Sequence, residues 1–241
     1  MIPKVIHYCW FSGEKKPRLI RRCIKSWKKV LPDYEIKCWD ANSFDFNSVP
    51  YVKQAYEKKK WAFVADYVRL YALYTEGGIY LDSDVEVYKR FDEFLNYSFF
   101  TGTDINKEKN TFAIEPAIIG AEKGNPYLKE CLEHYKKLQF VNKDNTINMQ
   151  VMPYIVSPIL EKYGYKAIDK TQYFSNEMAV FSSKYFANCN ADSYKNVYAR
   201  HWNSNSWKPN DHRGKVFHFF YRYDLMFIYN FVENILIKLR K

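Results

Sequence analysis

Two aspartates one residue apart, Asp82 and Asp84, sit in the stretch GGIYLDSDVEVY among Ile79, Leu81, Val85 and Val87, the neighbours of a buried strand. Side chains alternate faces along a strand, so the two carboxyl groups share a face if the strand continues through them. Carboxylates held that close repel, and burying them is costly unless a cation sits beside them. A hard divalent ion with oxygen ligands, Mg2+ or Mn2+, meets that need. A D-x-D pair alone is a weak signal, because hydrated carboxylates at a strand end produce the same pattern. Here the pair follows a Gly-Gly turn and a segment carrying Asp66 and Arg69. Those two are three residues apart and lie on one helical face. Their neighbours Phe63, Val64, Ala65, Tyr67, Val68 and Leu70 are too apolar for an open face. An arginine beside two aspartates and a cation is an anion clamp, because its planar fork matches phosphate oxygens.

The elements that must position these groups follow from periodicity. KVIHYCWF reads as a first strand, stopped by Ser12-Gly13. Leu19, Ile20, Cys23, Ile24 and Trp27 recur at helical spacing between Pro17 and Pro32. YEIKCWD is a second strand, and strand–helix–strand within forty residues predicts a parallel βαβ unit. The run from Tyr51 to Glu76 reads as one long helix stopped by Gly77-Gly78. Strands are expected near YSFFTGTD and FAIEPAIIGAE, and helices over PYLKECLEHYKKL and near MPYIVSPILEKYG. Tyr173 to Tyr198 gives no clear pattern. Alternating strands and helices predict an α/β fold with a mainly parallel sheet flanked by helices, whose ligands bind at the carboxyl ends of the strands.

Composition bounds the rest. The 241 residues, 47% hydrophobic and without repeats or a low-complexity linker, suit a single domain over 1–241. Aromatics reach 19%, with flat faces that pack cores or stack on sugars and bases. A net charge of +10 suits nucleic acid, an anionic membrane or a phosphorylated small molecule, and equally a soluble protein rich in lysine. Five cysteines without a C-x-x-C pair argue against a disulfide framework and a thiolate zinc site; Cys9 and Cys38 read as core thiols. No signal peptide or membrane span is legible, which predicts a cytoplasmic protein. The aromatic C-terminal segment FHFFYRYDLMFIYNFVENILIKLRK is broken by Arg222, Asp224 and Glu233. It docks on the core as a helix, or lies on the inner face of a membrane with Lys238, Arg240 and Lys241 toward the headgroups.

Four blocks together carry a resemblance: IPKVIHYCWFSG, AFVADYVRLYALYTEGGIYLDSDVEVY, IIGAEKGNPYLKE and HWNSNSW. The sequence resembles the DXD-containing glycosyltransferases that include capsular-polysaccharide transferases and the yeast outer-chain mannosyltransferase, and more distantly the glucosylating domains of clostridial toxins. The resemblance is dense from Ile2 to Tyr88, patchy to Glu130, and resumes at His201. It implies a nucleotide-sugar (GT-A-type) Rossmann-like fold, with residues 1–100 as the donor part and 101–241 as the acceptor side. It implies transfer of a hexose from a nucleoside-diphosphate sugar to a hydroxyl of a glycan or glycolipid, with retention, in surface polysaccharide synthesis, and no nucleic-acid partner.

By that resemblance Trp10 stacks on the donor base, and Asp66 and Arg69 hold the sugar hydroxyls and the diphosphate. Tyr80 packs beside the donor. Asp82 contacts ribose and a metal-bound water, Asp84 binds the Mn2+ or Mg2+ directly, and His201 is another metal ligand. Ser206 and Trp207 touch the diphosphate. Ser12 stands where relatives often carry glycine. Two rivals remain open: a glycoside hydrolase, whose two carboxylates must flank the bond from opposite sides, and a basic nucleic-acid or membrane-binding module, for which no interleaved basic-aromatic motif is legible.

Overall fold

The computed structural model describes residues 1–106, 110–175, 177–187 and 197–203, together with 219, 220, 223, 225, 228, 229, 231, 232 and 235. The first three elements follow the apolar periodicity. Strand β1 (Val5–Cys9) is followed by helix α1 (Arg18–Val30) and strand β2 (Glu35–Trp39), and β2 pairs parallel to β1. Helix α1 buries Leu19, Ile20, Cys23 and Trp27, each large apolar side chain contributing about 1.5–3 kcal/mol. The Trp27 indole N–H also donates to the Val85 carbonyl at 2.7 Å.

The long helix expected from Tyr51 to Glu76 is two helices, α2 (Pro50–Glu57) and α3 (Trp61–Glu76). The break falls in the lysine run 58–60. Lys59 takes a left-handed conformation with φ 54°. The N–H groups of Lys59 and Lys60 reach back to the carbonyls of Tyr56 and Ala55 at 2.8 and 2.9 Å. This Schellman closure satisfies the orphan carbonyls of α2. Helix α3 is buried from Phe63 to Leu70 and again at Ala72 and Leu73, which places Asp66 and Arg69 inside.

Gly77 and Gly78, at φ 73° and 116°, turn α3 into strand β3 (Gly78–Leu81). A Cβ at Gly78 would stand 2.7 Å from the Val5 carbonyl oxygen, so β3 can approach β1 closely only without one. His7 lies beneath this turn with no exposure. Its Nδ1 accepts from the Trp39 indole N–H at 3.1 Å and its Nε2–H donates to the Gly77 carbonyl at 2.8 Å. Burial lowers its pKa, and the neutral ring is fully satisfied in the core.

The remaining strands are β4 (Val85–Val87), β5 (Phe99–Asn106), β6 (Thr111–Ala121), β7 (Gln172–Phe174), β8 (Met178–Phe181), β9 (Phe186–Ala187) and β10 (Ala199–His201). Helices α4 (Pro126–Lys137) and α5 (Met152–Glu161) cover the face that α3 occupies; the Asn125 side chain caps α4 by accepting from the N–H groups of Tyr127 and Leu128. The architecture is the expected α/β sandwich. A seven-stranded sheet runs β2-β1-β3-β6-β5-β8-β7, and a three-stranded sheet runs β4-β10-β9. In the large sheet β1–β2, β1–β3 and β5–β8 are parallel, while β3–β6, β5–β6 and β7–β8 are antiparallel.

One core lies between the large sheet and α2 to α5; a second, on the side of α1 and β4, is built around Phe91, Phe94, Phe100, Phe181 and Phe186. Much of the aromatic excess is therefore packing. Cys9, Cys23 and Cys131 are buried free thiols, and Cys38 is half-buried. Phe220 and Tyr229 pack against Leu19, Cys23 and Trp202. The basic end of the C-terminal segment, with Lys238, Arg240 and Lys241, lies outside the described residues. Among those described, no helix is long and apolar enough to cross a membrane.

Candidate active site

Strand β3 does not continue through the two aspartates. It ends at Leu81, and the Asp82 N–H donates to the Ala117 carbonyl of β6 at 2.9 Å. The chain then turns over 82–84, closed by the Val85 N–H on the Asp82 carbonyl at 2.9 Å, and β4 leaves for the other sheet. The expectation that Asp82 and Asp84 share a strand face is corrected: a turn between two sheets sets them together, not strand alternation. The same turn delivers a third group. Strand β10 runs antiparallel to β4 with His201 opposite Val85. His201 Nε2 stands 3.5 Å from Asp84 Oδ1 and 4.0 Å from Asp82 Oδ2. One ligand atom from each of the three residues falls within 4.8 Å of the others.

Asp66 and Arg69 lie beside them and are buried, at 8% and 4% exposure. One Nη of Arg69 contacts Asp66 Oδ1 at 3.0 Å and Asp82 Oδ1 at 3.4 Å. The other donates to the Pro116 carbonyl at 2.7 Å. The guanidinium lies 4.8 Å from the centre of the Tyr80 ring, a cation–π distance. Tyr80 is buried, and its hydroxyl donates to Asp82 Oδ1 at 2.9 Å. Burial pushes the Asp66 carboxyl up to about 7; Arg69 pulls it down and Asp82 pushes it up again. Burial opposes the charge on Arg69, but Asp82, Tyr80 and Asp66 outweigh it and hold the guanidinium protonated.

A fourth carboxyl group was not singled out from the sequence. Glu115, on β6 and 1% exposed, accepts from His201 Nδ1–H at 3.1 Å. It arrives through a bulge. Thr101 pairs with Ile119 but the next residue, Gly102, pairs with Glu115, so residues 116–118 have no partner on β5. The Thr101 hydroxyl lies 2.8 Å from the Glu115 carbonyl and 2.9 Å from that of Ile118, closing the bulge. Pro116, without an N–H, sits where the ladder is already open. A lone carboxylate in the apolar run FAIEPAIIG was the available signal. Burial opposes protonation of His201, but Glu115 and Asp84 outweigh it and raise its pKa to about 10. A positive charge therefore belongs at this point, supplied either by a proton or by a metal ion.

These groups line a cleft of about 520 Å³. Its described wall carries Glu14, Asp66, Asp82, Asp84, Asp104 and Glu115 against Arg69 and His201. A molecule of net charge +10 thus has an acid-rich cleft. Trp10, just past β1, also lines it, half-buried, with its indole N–H on the Glu14 carbonyl at 2.8 Å and Lys16 Nζ 5.3 Å from its ring centre. Ser12 is not among the residues with positive φ, so its position does not require glycine; its hydroxyl accepts from the Glu14 N–H at 3.2 Å. Trp61, Val151, Met152 and Pro153 complete an apolar part of the wall that sequence reasoning left unassigned. Ser206 and Trp207 lie outside the described residues.

The donor set suits a hard divalent ion: two carboxylates and an imidazole whose second nitrogen is held by a further carboxylate, the arrangement that orients metal-binding histidines. Residues 17–101 match the glycosyltransferase sugar-binding region containing the DXD motif. An uncharacterized glycosyltransferase of Acanthamoeba polyphaga mimivirus is 28% identical over 237 residues, covering 90% of this chain and 88% of that protein. The inositol phosphoceramide mannosyltransferase 3 of Schizosaccharomyces pombe is 29% identical over 143 residues, 58% of this chain but 38% of its own length. In fold, the solved PaToxG glycosyltransferase matches with a TM-score of 0.52 over 67% of this chain and 68% of that one, at 21% identity.

Proposed function

We propose that this chain, whose residues 17–101 match the glycosyltransferase sugar-binding region containing the DXD motif, is a glycosyltransferase that moves a hexose from a nucleoside-diphosphate sugar to a hydroxyl of a glycan or glycolipid, with retention, in the synthesis of surface polysaccharide. The observation that carries this reading is the convergence of Asp82, Asp84 and His201 within 4.8 Å, in a cleft that also holds the buried Asp66–Arg69 pair. The fission-yeast relative, an inositol phosphoceramide mannosyltransferase, supports the glycolipid class of acceptor.

Asp82, Asp84 and His201 would hold Mn2+ or Mg2+, and the imidazole nitrogen favours Mn2+ over the oxygen-preferring Mg2+. When bound, the cation supplies Lewis-acid stabilisation of the negative charge on the departing diphosphate, worth several kcal/mol of barrier. Arg69 adds a fixed positive charge in a site shielded from water, where such terms are largest. Among so many carboxylates a diphosphate needs both charges to enter at all. Asp66 is placed to accept from sugar hydroxyls, Tyr80 to pack beside the donor, Asp82 to reach the ribose and Trp10 to stack on the base. Residues 1–100 carry these donor-binding groups. We assign 101–241 to the acceptor side, since Asp104, Val151, Met152 and Pro153 line the same cleft. Ser206 and Trp207 remain assigned to the diphosphate by resemblance alone. No side chain is assigned as base for the acceptor hydroxyl; a donor phosphate oxygen serves.

A thermal-shift screen of UDP- and GDP-sugars with and without Mn2+ tests the proposal. A ligand bound to the folded state raises the melting temperature by mass action, so the true donor should give the largest shift, and only with metal. A chain that none of these donors stabilises, with or without Mn2+, would overturn it.

A further inference from the structure

The reading above leaves Glu115 without a role. We propose that Glu115 is a positioning residue for the divalent-cation site, holding the His201 imidazole in the tautomer and orientation that turn Nε2 toward Asp82 and Asp84. The inference rests on the proposed function and deepens it.

Packing does not explain a carboxylate here. Glu115 is 1% exposed, with Ile114, Ala117 and Ile118 at no exposure beside it on β6. Its Oε2 is buried without a hydrogen-bond partner, a cost that an apolar side chain would avoid. The other oxygen is anchored. Oε1 accepts from the Ala117 N–H at 3.2 Å as well as from His201 Nδ1–H at 3.1 Å. The bulge at Thr101–Gly102 shapes that stretch of backbone and brings the Ala117 N–H to the carboxylate.

The consequence falls on the far side of the imidazole. With Nδ1–H held by Glu115, Nε2 is the nitrogen left facing the two carboxylates, 3.5 Å from Asp84 and 4.0 Å from Asp82. Nε2 and the two carboxylates thus face one point, with one ligand atom from each within 4.8 Å of the others, the geometry that a shared cation needs. Glu115 also polarises the ring and makes Nε2 a better donor.

The test is Mn2+ affinity of the full chain without donor, read from the electron paramagnetic resonance signal of free Mn2+. Glu115→Ala should weaken binding about 10- to 100-fold, the usual effect of removing such a partner, and Glu115→Gln, which keeps the shape and an acceptor oxygen, should lose less. In a His201→Ala background the same changes should alter the affinity by less than about twofold, because groups acting as one unit are not additive. Wild-type affinity in Glu115→Ala, or an equal loss with and without His201, would overturn the positioning role. Should Glu115→Ala fail to fold, the isosteric Glu115→Gln carries the same test: no loss with His201 present overturns the proposal. A chain that binds no Mn2+, or binds it equally well as Asp84→Ala, sinks the proposed function itself; affinity that depends on Asp84 but not on Glu115 removes this inference alone.

Discussion

Replacing Arg69 by methionine should destabilise the protein by an amount that depends on pH in a defined way. The guanidinium holds Asp66 and Asp82 and donates to the Pro116 carbonyl. A methionine fills much of the volume but leaves that carbonyl unpaired, for about 1–3 kcal/mol at any pH. The charge effect adds to this. Burial raises the folded Asp66 carboxyl from the usual 3.8 to about 7 even with Arg69 beside it. Between those two values the folded chain keeps a proton that the unfolded chain releases, so stability falls as pH rises, in wild type and variant alike. Above pH 7 the wild-type carboxyl ionises in the folded state and its curve flattens. The variant has lost the charge that lowers this pKa, so its curve keeps falling, by about 1.4 kcal/mol per pH unit. The gap should be constant below pH 7 and widen by about 2 kcal/mol near pH 8.5, approaching the 3–5 kcal/mol expected for a broken buried ion pair. Urea unfolding in EDTA from pH 5 to 8.5 measures it. Adding Asp66→Asn to the variant should abolish the widening. Parallel curves for wild type and Arg69→Met across pH 7–8.5 would refute the reasoning.

Asp84→Ala should abolish sugar transfer while leaving the protein folded, as circular dichroism would show; a transfer rate close to wild type would remove Asp84 from the site. Chelation by EDTA should stop turnover, and Mn2+ should restore it; activity that survives EDTA would favour the hydrolase over the transferase. Trp10→Ala should raise the donor KM, and an unchanged donor affinity would return Trp10 to a packing role. Lys59→Gly should stabilise the protein by about 1 kcal/mol in urea unfolding, because glycine adopts the left-handed cap without the penalty a side chain carries; a loss of stability would mean that the αL strain at Lys59 is negligible.

What the sequence made legible was local and periodic. The βαβ start could be read from β-branched and aromatic runs around an amphipathic helix, and the structure has it in parallel register from Val5 to Cys9. The burial of Asp66 and Arg69 could be read from their apolar neighbours. The break at Lys58 to Lys60 could not, because lysine is a good helix former and the left-handed turn comes from how α2 and α3 pack rather than from propensity. Glu115 escaped for a related reason. Its bulge is defined by what β5 offers opposite β6, where Thr101 pairs with Ile119 but Gly102 with Glu115, a change of register that residue types along β6 alone do not encode.

The aspartate pair is the instructive case, because the proximity was expected and the cause was different. A strand carrying both carboxylates on one face would have set them about 6.6 Å apart along its axis, from the strand rise alone, with no reason for a histidine more than a hundred residues later to approach. The turn over 82–84 ends one sheet at Asp82 and begins another just after Asp84. The second sheet is what recruits His201. Its register with Val85, extended by the Trp202 N–H on the Asp84 carbonyl at 3.2 Å, makes the imidazole the next side chain in line. A shift of one residue in that pairing would turn the imidazole to the opposite face and leave Asp82 and Asp84 facing each other with Arg69 as the nearest cation. The proposed metal site therefore depends on a three-residue pairing at the junction of two sheets as much as on the acidic motif itself.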